Sequence, residues 1–283
     1  MRYAAPVPLK RPFLKWAGGK TKLVPAIREF VPAGTRRLIE PFIGSGAVAL
    51  NLALPMAILA DANADLISVY RELQQGGEKF VAACAALFTP SANESAVYYT
   101  RRAEFNASSN RRRKAGLFIY LNRHGYNGLC RYNASGGFNV PFGRYKAPRF
   151  PRDELHAFHA VLQNCELRHA DFRDVLAEAG EGDFVYCDPP YVPASATANF
   201  TAYAKGAFGK LEQADLAACC RVAARRGATV VLSNHDTPGT RALYADADQQ
   251  RELLVGRRIS CHAANRGAAR ELLVVYRPSR LLV

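Results

Sequence analysis

Five short apolar runs, at residues 37–42, 57–60, 184–187, 229–232 and 272–276, constrain the fold of this 283-residue chain more than anything else in it. They are partly β-branched, and helical stretches separate several of them, such as residues 211–226 with an alanine-rich face. Strands alternating with helices predict an α/β protein, a mostly parallel sheet with helices on both faces. Ligands of such sheets sit beyond the carboxyl ends of the strands. Asp61, Asp188-Pro189-Pro190-Tyr191 and Ser233-Asn234-His235-Asp236 all fall at such ends.

The middle of the chain differs in kind. Residues 63–110 have amphipathic helical patterning, and residues 125–144 are dense in Gly, Asn, Tyr, Phe and Arg, with Ser135-Gly136-Gly137 suited to a hairpin turn. An inserted module at residues 63–150, carrying a basic aromatic hairpin at 125–146, divides the sheet domain into 1–62 and 151–283. Of the formal net charge of +14, most lies here: residues 101–152 hold twelve Lys/Arg against one acid, Glu104. Charge concentrated in one segment marks a polyanion-binding surface. The run Arg111-Arg112-Arg113-Lys114 suits phosphates better than bases, because a charge run carries no directional code.

No apolar run approaches the length that spans a bilayer, and the N-terminus begins no signal peptide. Seven cysteines show no metal-ligand spacing, so they read as reduced packing residues of a cytoplasmic protein that holds no metal. Cys187 beside Asp188 is one of these, with no His partner in sequence to make it a nucleophile.

Chemistry concentrates in two places. In Asp188-Pro189-Pro190-Tyr191 the prolines remove two N–H donors and fix φ, leaving a carboxylate, a bare carbonyl and a ring in a rigid corner. That corner suits a planar amine, whose hydrogens go to Asp188 and the proline carbonyl while Tyr191 stacks on the attached ring. An isolated motif of this kind equally suits a turn with a surface Asp. The second place is Gly44-Ser45-Gly46, where two glycines allow a tight turn and close backbone approach to a ligand. Seventeen residues after Gly44, Asp61 ends the next strand and suits ribose hydroxyls. Ala49 replaces the third glycine of the dinucleotide fingerprint, which weakens a nicotinamide or flavin reading. Gly18-Gly19-Lys20-Thr21 fails as a phosphate-binding loop, because Leu14 stands where its first glycine belongs. Gly44-Ser45-Gly46 fails as a nucleophile elbow, with Ile43 and Ala47 at the flanks.

Together these pieces resemble the Dam family of DNA adenine-N6 methyltransferases. The matching stretches include Phe13-Leu14-Lys15-Trp16-Ala17-Gly18-Gly19-Lys20, Glu40-Pro41-Phe42-Ile43-Gly44-Ser45-Gly46, Leu121-Asn122-Arg123 and Gly125-Tyr126-Asn127-Gly128-Leu129-Cys130-Arg131. Phe138-Asn139-Val140-Pro141-Phe142-Gly143-Arg144-Tyr145, the Asp188 corner, residues 195–203 and Ser233-Asn234-His235-Asp236 continue the match in the family's order. The resemblance implies a Rossmann-like sheet that binds S-adenosylmethionine, with Trp16, Lys20, Gly44, Gly46, Asp61 and Asp188 around the cofactor. Asp188, Pro189 and Tyr191 would be catalytic on an adenine flipped out of duplex DNA. Lys15, Asn127, Leu129, Arg131, Pro141 and Tyr145 would read or hold a GATC duplex, Arg131 by a bidentate guanine contact. No metal and no obligate protein partner is implied. His124 stands where the family commonly has Tyr, Val192 and Ala194 also depart from the pattern, and residues 265–270 have no clear match. N4-cytosine methylation, or a DNA-binding regulator that has lost turnover, are the alternative readings.

Overall fold

The computed structural model describes residues 8–191, 208–256 and 268–278. A seven-stranded sheet runs through it: β1 (Arg37–Glu40), β2 (Met56–Asp61), β3 (Cys165–His169), β4 (Asp183–Cys187), β5 (Thr229–His235), β6 (Gln249–Gly256) and β7 (Ala268–Tyr276). Their order is β3-β2-β1-β4-β5-β7-β6. The first five in that order are parallel, and β7 lies antiparallel between β5 and β6. From β1 the chain moves outward to β2 and β3, then returns to β4 on the other side, so the switch point lies between β1 and β4. Arg37 and Asp183, at the starts of these two strands, fix their register with two hydrogen bonds of 2.8 and 2.6 Å.

The expected mixed α/β architecture is present, with two strands that the apolar runs did not reveal. β3 is an edge strand with Leu167 its one buried residue, and β6 at the other edge carries Gln, Arg and Glu. An edge strand needs no continuous apolar run, and exposed polar side chains discourage pairing with another sheet. β4, buried along its whole length, sits near the centre and was legible for that reason.

The helices are α1 (Val24–Arg28), α2 (Ala47–Leu52), α3 (Ala64–Ala85, interrupted at Gly77), α4 (Ser95–Ala107), α5 (Arg111–His124), α6 (Arg152–Leu162), α7 (Phe172–Leu176), α8 (Lys210–Arg225) and α9 (Pro238–Leu243). One face of the sheet buries Ile39, Ile58, Val185, Val230 and Leu232 under α7 and α8. The other face contributes Leu38, Leu59, Phe184 and Val231 to a cluster that continues without a break through Tyr70 and Phe158 to Tyr98, Phe105, Phe118 and Phe138. The helices of residues 63–150 therefore share a core with the sheet. α3 packs on both α5 and α6, and Arg71 and Gln74 reach back to the carbonyls of Leu167, Leu162 and Cys165.

The hairpin is open. Antiparallel bridges occur at Gly125–Phe142 and Tyr132–Phe138, and the turn closes through Asn133 N to Gly137 O (2.9 Å) and Gly136 N to Asn133 O (3.0 Å). Asn133 Oδ1 accepts three further hydrogen bonds, from Ser135 N, Ser135 Oγ and Gly137 N. A side chain that mimics backbone in this way holds a turn where no ladder can. Residues 195–203, Val192 and Ala194 lie outside the described residues, as do 265–267.

Candidate active site

The Asp188 corner leaves the end of β4 beside the switch point. Asp188 Oδ1 pairs with Lys20 Nζ at 3.0 Å and accepts from Ser233 Oγ at 3.1 Å. Ser233 is itself fixed by Tyr186, whose hydroxyl lies 2.9 Å away. Burial pushes the Asp188 carboxyl above its ordinary range, and the Lys20 charge and the Ser233 hydrogen bond pull it back. Lys20 Nζ also donates to Gly18 O at 2.5 Å and lies 4.5 Å from the centre of the Tyr191 ring. A nitrogen donor is thus held between a carboxylate and an aromatic ring at the corner.

Around this pair lies a pocket lined by Trp16, Gly19, Lys20, Glu40, Gly44, Ser45 and Asp188 among others. Among the described residues its lining carries two carboxylates, Glu40 and Asp188, and one cation, Lys20, which pairs with Asp188. Glu40, at the end of β1, is 2 % exposed, and its Oε2 accepts from Ala49 N at 3.2 Å. Burial drives its carboxyl well above the usual range, and the neighbouring Asp188 charge adds to this. Gly44 has φ +48°, and a Cβ there would stand 2.8 Å from Trp16 Nε1, so only glycine lets the indole close over the loop. Asp61 supports the loop from below, with Oδ2 accepting from Gly44 N (3.1 Å) and Oδ1 from Asn63 N (2.9 Å). Burial raises its carboxyl, and those two N–H groups lower it. Gly46 does not face the pocket. With φ +69° it caps α2, and its α-carbon turns toward Phe158.

The residues expected to meet a duplex are linked by contact. Lys15 Nζ lies 3.7 Å from the centre of the Tyr145 ring, and Tyr145 is hydrogen-bonded to the Asn127 backbone. Tyr126 N donates to Pro141 O (2.9 Å), and Leu129 N to Tyr126 O (3.1 Å). Arg131 is exposed and braced across the hairpin, Nε to Asn139 Oδ1 at 2.8 Å and Nη2 to Asn139 O at 3.2 Å. Asn122, 2 % exposed, joins this group to the pocket: its Oδ1 accepts from Lys15 N (2.8 Å), while Nδ2 donates to Lys15 O (2.7 Å) and Gly128 O (3.1 Å). Lys15 therefore lies between the two groups, one residue from Trp16 of the pocket lining.

Residues 16–258 match the family model of the D12 class N6 adenine-specific DNA methyltransferases. The chain belongs to that family. The DNA adenine methylase of Escherichia coli strain K12 is 47% identical over 268 residues, which cover 95% of this chain and 96% of that one. Its counterpart in Serratia marcescens is 47% identical over 268 residues (94% and 98%), and that of Vibrio cholerae El Tor Inaba N16961 is 43% identical over 270 (95% and 97%).

Within this D12 methyltransferase the structure reassigns several residues. Three of the four cations at 111–114 are engaged by acids within residues 63–150: Arg112 with Glu72, Arg113 with Glu104 and Lys114 with Asp65. Their partners lie up to about fifty residues upstream, so the run looked free in sequence. His124 is buried, stacked on Tyr120 with ring centres 4.0 Å apart, and pushed down to about 4 chiefly by burial. It is a neutral packing ring, which accounts for its replacing a tyrosine. Cys187 is buried against Cys220 with its thiol raised well above the usual range, so it is no nucleophile. Among the described residues no group of His, Cys, Asp or Glu fits a metal, and no helix is long and apolar enough to cross a membrane. Sequence reading gave no role to Glu40, although an acid ending the strand before Gly44-Ser45-Gly46 was the available signal.

Proposed function

We propose that this methyltransferase takes its methyl group from S-adenosylmethionine and delivers it to the adenine of GATC in duplex DNA. The observation that carries the reading is Lys20 Nζ, held 3.0 Å from Asp188 Oδ1 and 4.5 Å from the Tyr191 ring. A carboxylate and a ring that grip one nitrogen donor are suited to grip another.

The pocket fits the cofactor by its donor set. Glu40 and Asp188 share the lining with Lys20, the one cation there among the described residues, and burial raises both carboxyls. A cationic guest relieves that cost. S-adenosylmethionine supplies, when bound, a methyl group on a positively charged sulfur. Trp16 offers its indole as a lid, and Asp61 offers its remaining lone pairs to ribose hydroxyls.

The target base enters the corner by leaving the stack, at a cost of about a few kcal/mol. Its amine displaces Lys20 from Asp188 and donates one hydrogen to that carboxylate and the other to the Pro189 carbonyl. These two hydrogen bonds turn the nitrogen lone pair out of conjugation with the ring, and Tyr191 stacks on the base. The freed lone pair would then be aimed at the methyl group that the bound cofactor would supply, and the methylated amine would shed one proton. Asp188, with its raised carboxyl, is a fit first acceptor for it. Positioning supplies most of the acceleration in such an in-line displacement.

Lys15, Asn127, Leu129, Arg131, Pro141 and Tyr145 hold the duplex, and the braced Arg131 guanidinium suits the two acceptors of guanine. The test is transfer of labelled methyl from S-adenosylmethionine to a GATC duplex and to the same duplex with one base changed. Asp188→Ala should abolish transfer and leave duplex binding intact. Equal transfer to both duplexes would refute the site assignment, and no transfer, or transfer to a base other than adenine, would refute the reaction.

A further inference from the structure

α8 buries small or apolar side chains, Leu216, Ala217, Cys220, Ala223 and Ala224, with one polar exception. Gln213 is 2 % exposed, and its Nε2 donates 2.8 Å to the carbonyl of Pro190. Its Oε1 accepts from Asn234 Nδ2 (3.0 Å) and Tyr244 OH (3.3 Å), both buried. Because two donors claim Oε1, the amide cannot flip, and Nε2 must face the proline carbonyl. Proline fixes φ but leaves ψ free, and the ψ of Pro190 decides the direction in which Tyr191 departs. Gln213 fixes that torsion.

The other end of Tyr191 is held as well. Its hydroxyl donates to Glu271 Oε2 at 3.1 Å, and the His235 ring packs against it edge-on, with centres 4.6 Å apart. His235 and Glu271 are opposed across the antiparallel β5–β7 pair. The strand that breaks the parallel pattern therefore brings an acceptor to the corner.

We propose that Gln213 and Glu271 are positioning residues that hold Tyr191 at both ends, Gln213 through the Pro190 carbonyl and Glu271 through the phenol. The ring is thereby set before the base arrives. The inference rests on the reading of Tyr191 as the platform for the flipped adenine, and it gives Asn234 its purpose: to lock Gln213.

The experiment measures single-turnover methyl transfer, duplex affinity and melting temperature for the full chain, with 2-aminopurine at the target position to report stacking. Gln213→Met keeps size and removes the amide; Glu271→Leu removes the acceptor; Glu271→Gln keeps an acceptor oxygen. Gln213→Met and Glu271→Leu should each lower the single-turnover rate about ten-fold or more, with duplex affinity unchanged and 2-aminopurine emission altered. Glu271→Gln should stay within about two-fold of the parent, and Glu271→Leu should cost nothing further in a Tyr191→Phe background. Lowered melting temperatures with parental rates and emission would reduce both residues to structural roles and overturn the proposal. If Gln213→Met does not fold, the Glu271 pair and the Tyr191→Phe cycle still decide. A parent protein that transfers no methyl to the duplex is a separate result, which overturns the functional reading itself.

Discussion

Gly46→Ala tests how the floor of the Gly44-Ser45-Gly46 loop is built. At φ +69° the backbone is left-handed, which costs alanine about 1–2 kcal/mol relative to glycine. The added Cβ would also stand 2.3 Å from Phe158 Cζ and 2.6 Å from Cε2. Phe158 cannot yield easily: it is fully buried, edge-on to Phe13 at 5.6 Å and stacked on Tyr70 at 5.1 Å. Forcing extra volume into such packing costs about 1–3 kcal/mol, so the total is about 2–5 kcal/mol. Gly34→Ala separates the two effects, since Gly34 has φ +81° and nothing within 4 Å of its Cβ position. It should lose only the backbone part, and the entropy that alanine removes from the unfolded chain cancels in the comparison. Urea unfolding followed by fluorescence and circular dichroism should therefore place Gly46→Ala about 1–3 kcal/mol below Gly34→Ala. Equal losses would refute the packing argument. A functional consequence accompanies the loss of stability. Tyr70 OH donates to Gly44 O at 2.7 Å, so a displaced Phe158–Tyr70 pair disturbs the loop under Trp16. Calorimetric titration should show weaker S-adenosylmethionine binding in Gly46→Ala and parental binding in Gly34→Ala.

Burial and the nearby Arg123 charge bring Lys15 down to about 8. If its charged form holds the duplex, affinity at fixed salt should fall as pH rises through about 8, by up to about ten-fold per unit, and Lys15→Met should flatten that fall. The same lowered value makes the free protein bind fewer protons than the unfolded chain between about 8 and 10.5, so Lys15 makes stability rise with pH across that window. A Lys15→Met variant with an unchanged pH profile of binding would refute the assignment. Arg113→Ala breaks the pair with Glu104 within the module, so the slope of log affinity against log salt should stay at the parental value. A slope reduced by about one would instead make Arg113 a phosphate contact.

The sheet was legible in sequence wherever strands are covered on both faces. β1, β2, β4, β5 and β7 are buried along most of their length, and each carries an apolar run that stands out in sequence. β3 and β6 flank them with mixed side chains, because a sheet edge has no second neighbour to exclude water. In the site, Asp188, Trp16, Lys20 and Gly44 come together around one pocket because local motifs carry their geometry. Gly46 shares the loop with Gly44, yet its empty Cβ position faces Phe158 where that of Gly44 faces Trp16. Gln213 left no trace in the pattern: a glutamine on an alanine-rich helix acquires meaning only from the register of α8 against the corner. The charge at 111–114 was visible in amount but not in use, since Glu72 and Asp65 reach it from α3.

Asn122 has a consequence for exchange between related enzymes. It fastens Lys15 to Gly128 across more than a hundred residues of sequence, so on the proposed reading one contributor to the duplex contact is encoded outside residues 63–150. A chimera that imports only residues 63–150 from a relative would pair a foreign Asn122 environment with the native loop at 13–20. If Lys15 holds the duplex as proposed, recognition is inherited as two separated pieces of sequence, and a productive swap has to carry both.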